Sequence, residues 1–340
     1  MDRHRILDWL KEEDGGRLEE LWRQADGVRK EKVGDAVHLR GLVEISNYCS
    51  RLCWYCGIRA ENQKIERYRM TKDEIMECVR QAVEFGYGTV VLQSGEDWGI
   101  TAQWIEDVVR TIKEKTPLAV TLSLGERDEE ELKAWRAAGA DRYLLRFETS
   151  NRALYEKIHP HLAGKVSDRF AILRKLKNLG YEVGSGVMIG IPGQRYEDLA
   201  DDIEMFEKLD LDMIGVGPFI AHPDTPLGRE KPVEGQVPNT ELMTYKVVAL
   251  TRIACPQANI PSTTALATLN LAEGRELGLC RGANVVMPNL TPVKYRSKYE
   301  IYPAKACIRE TAKECHNCMK RRIISIGRTV GTGLGGRKHF

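Results

Sequence analysis

The stretch LVEISNYCSRLCWYCG, residues 42–57, decides how the rest of the chain is read. Its first part, Leu42 to Ser46, is a short apolar run with the length of a buried strand. Three cysteines follow at once, Cys49, Cys53 and Cys56, spaced C-x3-C-x2-C. That spacing lets three thiolates converge on one iron–sulfur cubane and leaves one iron without a side chain. A structural zinc would want a fourth Cys or His close by, and the nearest downstream histidine is His159. A zinc knuckle is therefore the competing reading, and it lacks a ligand.

Outward from this stretch, short runs rich in Val, Ile and Leu alternate with longer amphipathic segments, the pattern of βα units. The strands expected are Leu42–Ser46, Thr89–Gln93, Ala119–Ser123, Arg142–Arg146, Glu182–Met188, Met213–Gly217, Asn259–Thr263 and Asn284–Met287. Eight strands separated by helices predict an α/β fold, a complete (β/α)8 TIM barrel, with crossover helices outside. Thr71, with Glu74 three residues on and Gly86 at the far end, marks a capped helix. Residues 15–31 read as a helix closing the barrel bottom. The division expected is an N-terminal helical segment over 1–36, the barrel over 37–292 and a C-terminal extension over 293–340. On a barrel, the loop after the first strand lies at the face where active sites are built.

Composition removes other classes. The chain has 340 residues and a formal net charge of +2, with no basic arm or acidic tail, which gives no electrostatic reason to expect nucleic acid or a membrane surface. The opening MDRHRILDWLKEEDGG is too charged for the apolar core of a signal peptide, and no stretch of about 18 apolar residues follows, so a cytoplasmic location is expected. In that compartment nine cysteines suggest metal rather than disulfides. Six of them form two groups, 49/53/56 and 307/315/318. Cys78, Cys255 and Cys280 read as buried small apolar residues.

With the cysteine spacing in place, the chain resembles the radical SAM superfamily. That resemblance implies a 4Fe-4S cluster on Cys49, Cys53 and Cys56, whose open iron is chelated by S-adenosylmethionine. It further implies that one electron cleaves the sulfonium to methionine and a 5'-deoxyadenosyl radical, chemistry that belongs to the cofactor, so no side chain is assigned as catalytic. Ser94-Gly95-Glu96 resembles the superfamily's Gly-Gly-Glu motif for the cofactor's amino group, and Tyr55 matches an aromatic that packs near adenine. Met188 and Ile189, in GSGVMIGIPGQ over 184–194, resemble an adenine-contacting strand. Ser123, Glu148 and Thr149 end strands at the same mouth, and Arg169 suits the methionine carboxylate. Each has a plainer reading: a common turn at 94–96, a surface ion pair for Arg169 or Glu148, simple core for Met188 and Ile189.

A narrower likeness covers residues 35 to 338. The strings YRMTKDEI (68–75), VVLQSGED (90–97), DRYLLRFET (141–149), GPFIAHPDTPL (217–227) and GANVVMPNLTP (282–292) together resemble the HydE family of FeFe-hydrogenase maturases. The resemblance implies a cavity holding both the cofactor and a small anionic substrate, an iron complex of cysteine, carbon monoxide and cyanide delivered by HydG. Attack of the adenosyl radical on the cysteine sulfur is the implied step in H-cluster assembly. By position, Arg146, Thr263, Thr264, Met287, Tyr299 and Tyr302 fit the walls of that cavity, although the tyrosines also read as packing residues. His222, in AHPDTP after the sixth strand, reads as a loop-ordering residue, with a ligand role as the alternative. An electron donor such as ferredoxin or flavodoxin and the maturases HydG and HydF are the implied partners. Cys307, Cys315 and Cys318 resemble the family's variable second cluster site, 2Fe-2S or 4Fe-4S, to which no role in the core reaction attaches. A zinc site with His316 and plain surface thiols stay open there. Two other functions compete: a lysine mutase of the methylornithine synthase type, and a non-catalytic iron–sulfur scaffold.

Overall fold

The structure, a computed structural model, describes residues 1–162, 164 and 166–337. The end of the expected 293–340 extension, residues 338–340, lies outside the described residues. Strands β1 (Ala36–Ser46), β2 (Thr89–Ser94), β3 (Ala119–Ser123), β4 (Arg142–Leu144), β5 (Glu182–Ile189), β6 (Met213–Pro218), β7 (Val285–Val286) and β8 (Thr329–Val330) form one parallel sheet. Its order is β6-β5-β4-β3-β2-β1-β7, with β8 paired to the start of β1. Helices cross over between the strands. The one at Lys72–Glu84 shows why they form where they do. Thr71 and Glu74 cap it reciprocally, Gly86 follows at φ 72°, and Ile75, Cys78, Val79 and Ala82 bury one face.

The expected complete barrel is not what forms. Seven strands make an open path, a partial barrel, and the segment expected as a seventh strand, 259–263, is not a strand. It crosses between β6 and β7 through the isolated bridges Met213↔Asn259 and Pro261↔Val285. Pro261 has no N–H to give a ladder, and Thr263 already caps the helix Thr264–Leu269 by accepting from the Leu266 amide at 3.3 Å. Extended backbone therefore has room for only one bridge on each side.

The bottom of the barrel is also built differently. The helix expected over 15–31 is present as Gly15–Val33, but it packs against Glu241–Ala254 on the outside of the sheet. Its buried Leu18, Leu21, Trp22 and Ala25 join the main core there, which is where their apolar face is covered. The residues that reach the N-terminal ends of the strands belong to the tail. The Leu334 carbonyl accepts from Thr89 and Arg142, and that of Gly335 from Arg40 and Asn259. Of the three lone cysteines, Cys78 is buried as expected, Cys255 is half-buried, and Cys280 is exposed at the end of the helix Gly274–Cys280. No helix among the described residues is long and apolar enough to cross a membrane.

Candidate active site

β1 delivers the cysteine loop to the mouth of the partial barrel, and the turn after β2 holds it there. Ser50 N–H donates to the Glu96 carbonyl at 2.9 Å and Gly95 N–H to that of Ser46 at 3.2 Å. The approach requires a glycine: a Cβ at Gly95 would sit 2.3 Å from the Tyr48 carbonyl oxygen and 2.7 Å from Cys49 Cβ. Cys53 is buried, Cys49 and Cys56 half-buried. Burial pushes all three thiols up, Cys53 to about 12. Neutral thiols so placed become ligands only when a cation offsets the cost of the thiolate.

The donor set fits a cluster better than a single ion. A cubane takes each thiolate on a different iron, so three cysteines suffice for it, whereas a tetrahedral zinc wants a fourth Cys or His. Two buried polar atoms on the same loop, Ser50 Oγ and Arg51 Nη1, have no partner among the described residues. Such orphans are rare in a finished interior and suit a loop built around a group.

Behind the loop lies a buried charge network. Arg51, between the first two cysteines, pairs with Glu96 at 2.8 Å and with Glu126 at 2.8 Å. Glu126 also accepts from Arg169 at 3.0 Å and from Ser167 at 2.5 Å, and its own amide donates to Glu96 at 2.9 Å. Arg169 reaches His159 Nε2 at 2.5 Å and the Arg146 carbonyl. Burial holds His159 down to about 2, so its ring is the acceptor.

In front of the loop a cavity of about 340 Å³ runs into the barrel. Cys56, Tyr55, Ser94, Ser123, Glu148 and Met188 line its upper part. Tyr55 packs on the apolar group that contains Met188, Ile191 and Phe219. Ile189 faces the other way, fully buried in the main core, because successive strand residues alternate. Gly95, Glu96, Thr149 and Arg169 do not line the cavity: Thr149 braces its turn through Asn151, and the other three sit in the loop contact and the charge network. Glu148 adopts φ 63°, a left-handed conformation costly for a non-glycine residue, and pairs with Arg146 at 3.0 Å.

Arg146, Thr263, Thr264, Met287, Tyr299 and Tyr302 all line the cavity. Arg146 also donates to the Gly215 and Val187 carbonyls, at 2.9 and 2.6 Å. Sequence reasoning missed further wall residues. Glu44 and Lys305 form a buried ion pair on the wall, with Asn289 donating to Glu44 at 3.0 Å. Gln93 reaches the Tyr299 hydroxyl at 3.2 Å, and Arg40 lies at the floor. A carboxylate inside an apolar run was the available signal for Glu44; nothing local marks Lys305. His222 is buried and accepts from the Asp224 amide at 3.1 Å, ordering its loop.

At the C-terminal trio, Cys315 and Cys318 lie on the helix Ala312–Ser325 and Cys307 precedes it at φ 64°. The neighbouring Cys315 thiol pulls Cys307 toward thiolate. His316 stacks on Phe85 and meets the Tyr87 hydroxyl at 3.2 Å, which turns its ring to a packing role.

Residues 43–206 match the model of the Radical SAM superfamily. The [FeFe] hydrogenase maturase subunit HydE of Thermotoga maritima is 48% identical over 98% of this chain and 93% of its own length. The chain belongs to the HydE family. It is a radical SAM enzyme of HydE type, and its family's kinship with methylornithine synthases is visible at lower identity. The 3-methylornithine synthase of Methanosarcina acetivorans is 29% identical over 84% of this chain and 77% of its own. A crystal structure of methylornithine synthase superposes with a TM-score of 0.83 at 25% identity, over 97% and 94% of the two chains.

Proposed function

We propose that this HydE-type enzyme acts on an iron complex of cysteine, carbon monoxide and cyanide during assembly of the FeFe-hydrogenase H-cluster. The observation that carries the reading is one continuous cavity that starts at a cluster cysteine, Cys56, and ends among polar and cationic groups deep in the barrel. When bound, the 4Fe-4S cluster and S-adenosylmethionine supply reductive sulfonium cleavage and a 5'-deoxyadenosyl radical.

The chain's own residues bind, orient and exclude water. Ser94, on the cavity wall, and Glu96, behind it, would present the turn to the cofactor's amino group, Arg169 would answer to its carboxylate from the charge network behind the lining, and Tyr55 and Met188 would flank adenine. Ser123 and Glu148 would complete the mouth, with Thr149 bracing the turn beside it and Ile189 anchoring the Met188 strand in the core. Deeper in, Arg146 is pinned by Glu148 and two strand carbonyls and keeps unspent N–H donors for an anionic substrate. The Thr263 and Thr264 hydroxyls and Tyr302 add neutral donors, while Met287 and the Tyr299 ring keep the chamber apolar. HydG as source of the substrate, HydF as recipient, a ferredoxin or flavodoxin as electron donor and a cytoplasmic location belong to the same proposal. So does a second cluster on Cys307, Cys315 and Cys318; the neighbouring thiols and the occupied His316 ring support it over zinc.

The test is anaerobic turnover of the reconstituted chain with S-adenosylmethionine, dithionite and a synthetic cysteine–iron–carbonyl–cyanide complex. An adenosyl group bonded to the cysteine sulfur is the expected product. Methylornithine from lysine would overturn the substrate assignment, and absence of any S-adenosylmethionine cleavage, whether to the adenosyl adduct or to 5'-deoxyadenosine, would leave a scaffold.

A further inference from the structure

We infer that Glu126 is a positioning residue that locks the cysteine loop, the 94–96 turn and Arg169 into one rigid cofactor seat. The inference rests on the proposed S-adenosylmethionine site and goes beyond it, because Glu126 lines no part of the cavity.

The geometry is that of a keystone. The carboxylate of Glu126 holds Arg51 at 2.8 Å, Arg169 at 3.0 Å and Ser167 at 2.5 Å, while its backbone N–H donates to Glu96 at 2.9 Å. Three segments far apart in sequence therefore meet at one residue: the loop between Cys49 and Cys53 and the start of the helix Arg169–Asn178 at its carboxylate, and the turn after β2 at its amide. The side chains of Arg51 and Arg169 are 4% and 9% exposed, so two guanidiniums are held near each other away from water. Two carboxylates, Glu96 and Glu126, balance them. Also facing the cluster are His159, which burial keeps neutral, Tyr155 and Ser167, which share a hydrogen bond at 2.7 Å, and Tyr55 and the Cys53 thiol, which act on Arg169.

Loss of the Glu126 charge leaves Arg169 with no carboxylate partner and Arg51 with Glu96 alone. Glu96 is itself in the turn expected to meet the cofactor's amino group, and Arg169 would meet its carboxylate, so both would be drawn out of register. Without Glu126 the seat has the right residues in the wrong places.

The experiment compares the native chain with Glu126→Gln and Glu126→Asp, each anaerobically reconstituted. Iron content, the electron paramagnetic resonance spectrum of the reduced cluster with and without S-adenosylmethionine, and cofactor affinity by calorimetry are measured. Glu126→Gln is expected to keep its iron, to weaken cofactor binding at least tenfold and to lose the spectral change that the cofactor produces. Glu126→Asp, which keeps the charge on a shorter arm, is expected to bind between the two. Glu126→Gln that binds within twofold of native overturns the inference. If that variant does not fold, Glu126→Asp decides alone, and native affinity in it overturns the inference. A native chain that binds no S-adenosylmethionine overturns the proposed site instead.

Discussion

Gly95 offers the sharpest test of how the mouth is assembled. Replacing it by alanine adds a Cβ that must fit 2.3 Å from the Tyr48 carbonyl oxygen and 2.7 Å from Cys49 Cβ. Both neighbours lie at or beside backbone, so no flexible side-chain end can swing away. Overpacking of this kind costs about 1–3 kcal/mol, and the strain is relieved by lifting the turn from the cysteine loop. Lifting stretches the bonds Ser50 N–H to Glu96 O and Gly95 N–H to Ser46 O, and carries Glu96 away from Arg51. In a chain of this size that cost lowers Tm by roughly 1–4 °C. Gly95→Ala is expected to show that drop together with reduced iron per chain after reconstitution and at least tenfold weaker binding of S-adenosylmethionine. Gly27→Ala is the control, because its Cβ meets nothing within 4 Å inside the helix Gly15–Val33; it should hold or raise Tm. A Gly95→Ala protein with native Tm, iron content and affinity would refute the close-packing argument.

Three further outcomes are expected. Lys305→Met strands the buried Glu44 carboxylate and should cost about 3–5 kcal/mol in urea unfolding, while Glu44→Gln combined with Lys305→Met recovers most of it; equal losses would dismiss the pair. Burial raises Asp202 to about 8, so the folded chain holds a proton there that the unfolded chain has released above about pH 4. Stability from this group is therefore full below that pH and falls by on the order of 1.4 kcal/mol per unit as pH rises toward 8. Asp202→Asn keeps an acceptor for the Ser150 amide and should flatten that slope in urea midpoints from pH 5 to 8, and an unchanged slope would count against a buried proton. Replacing Cys307, Cys315 and Cys318 together by alanine should remove the iron and sulfide of one cluster and leave the remainder. Unchanged metal content would dismiss the second cluster.

Much of the fold was readable because its signals are local. Apolar runs found β1 to β6 within a few residues, although β1 begins at Ala36, ahead of the expected Leu42, since His38, Arg40 and Gly41 break the apolar pattern. Pairing of neighbours was not readable in the same way. Asn259–Thr263 has a strand's composition apart from one proline, and only the three-dimensional seam shows that Pro261 and the cap at Thr263 leave isolated bridges there.

The site divides along the same line. Residues that end strands, such as Ser94, Ser123, Arg146 and Glu148, were visible because strand ends point to the mouth, and all four line the cavity. Residues that act through others were not, since Arg51 and Glu126 acquire meaning only from Arg169, which lies more than forty positions beyond either of them. The irregular seam explains how three polar side chains come to sit side by side on a largely apolar cavity wall. Backbone freed from a continuous ladder at 259–263 turns at once into a helix, and that turn brings Ser262, Thr263 and Thr264 together on the cavity wall. A regular seventh strand would alternate its side chains and send half of them outward. An uninterrupted ladder and three adjacent polar wall residues are therefore incompatible at this position. Replacing Pro261 with valine should lengthen the pairing to β7 and, by pulling Thr263 out of its cap, weaken substrate binding more than cofactor binding. Equal effects on the two would show that the seam does not shape the chamber.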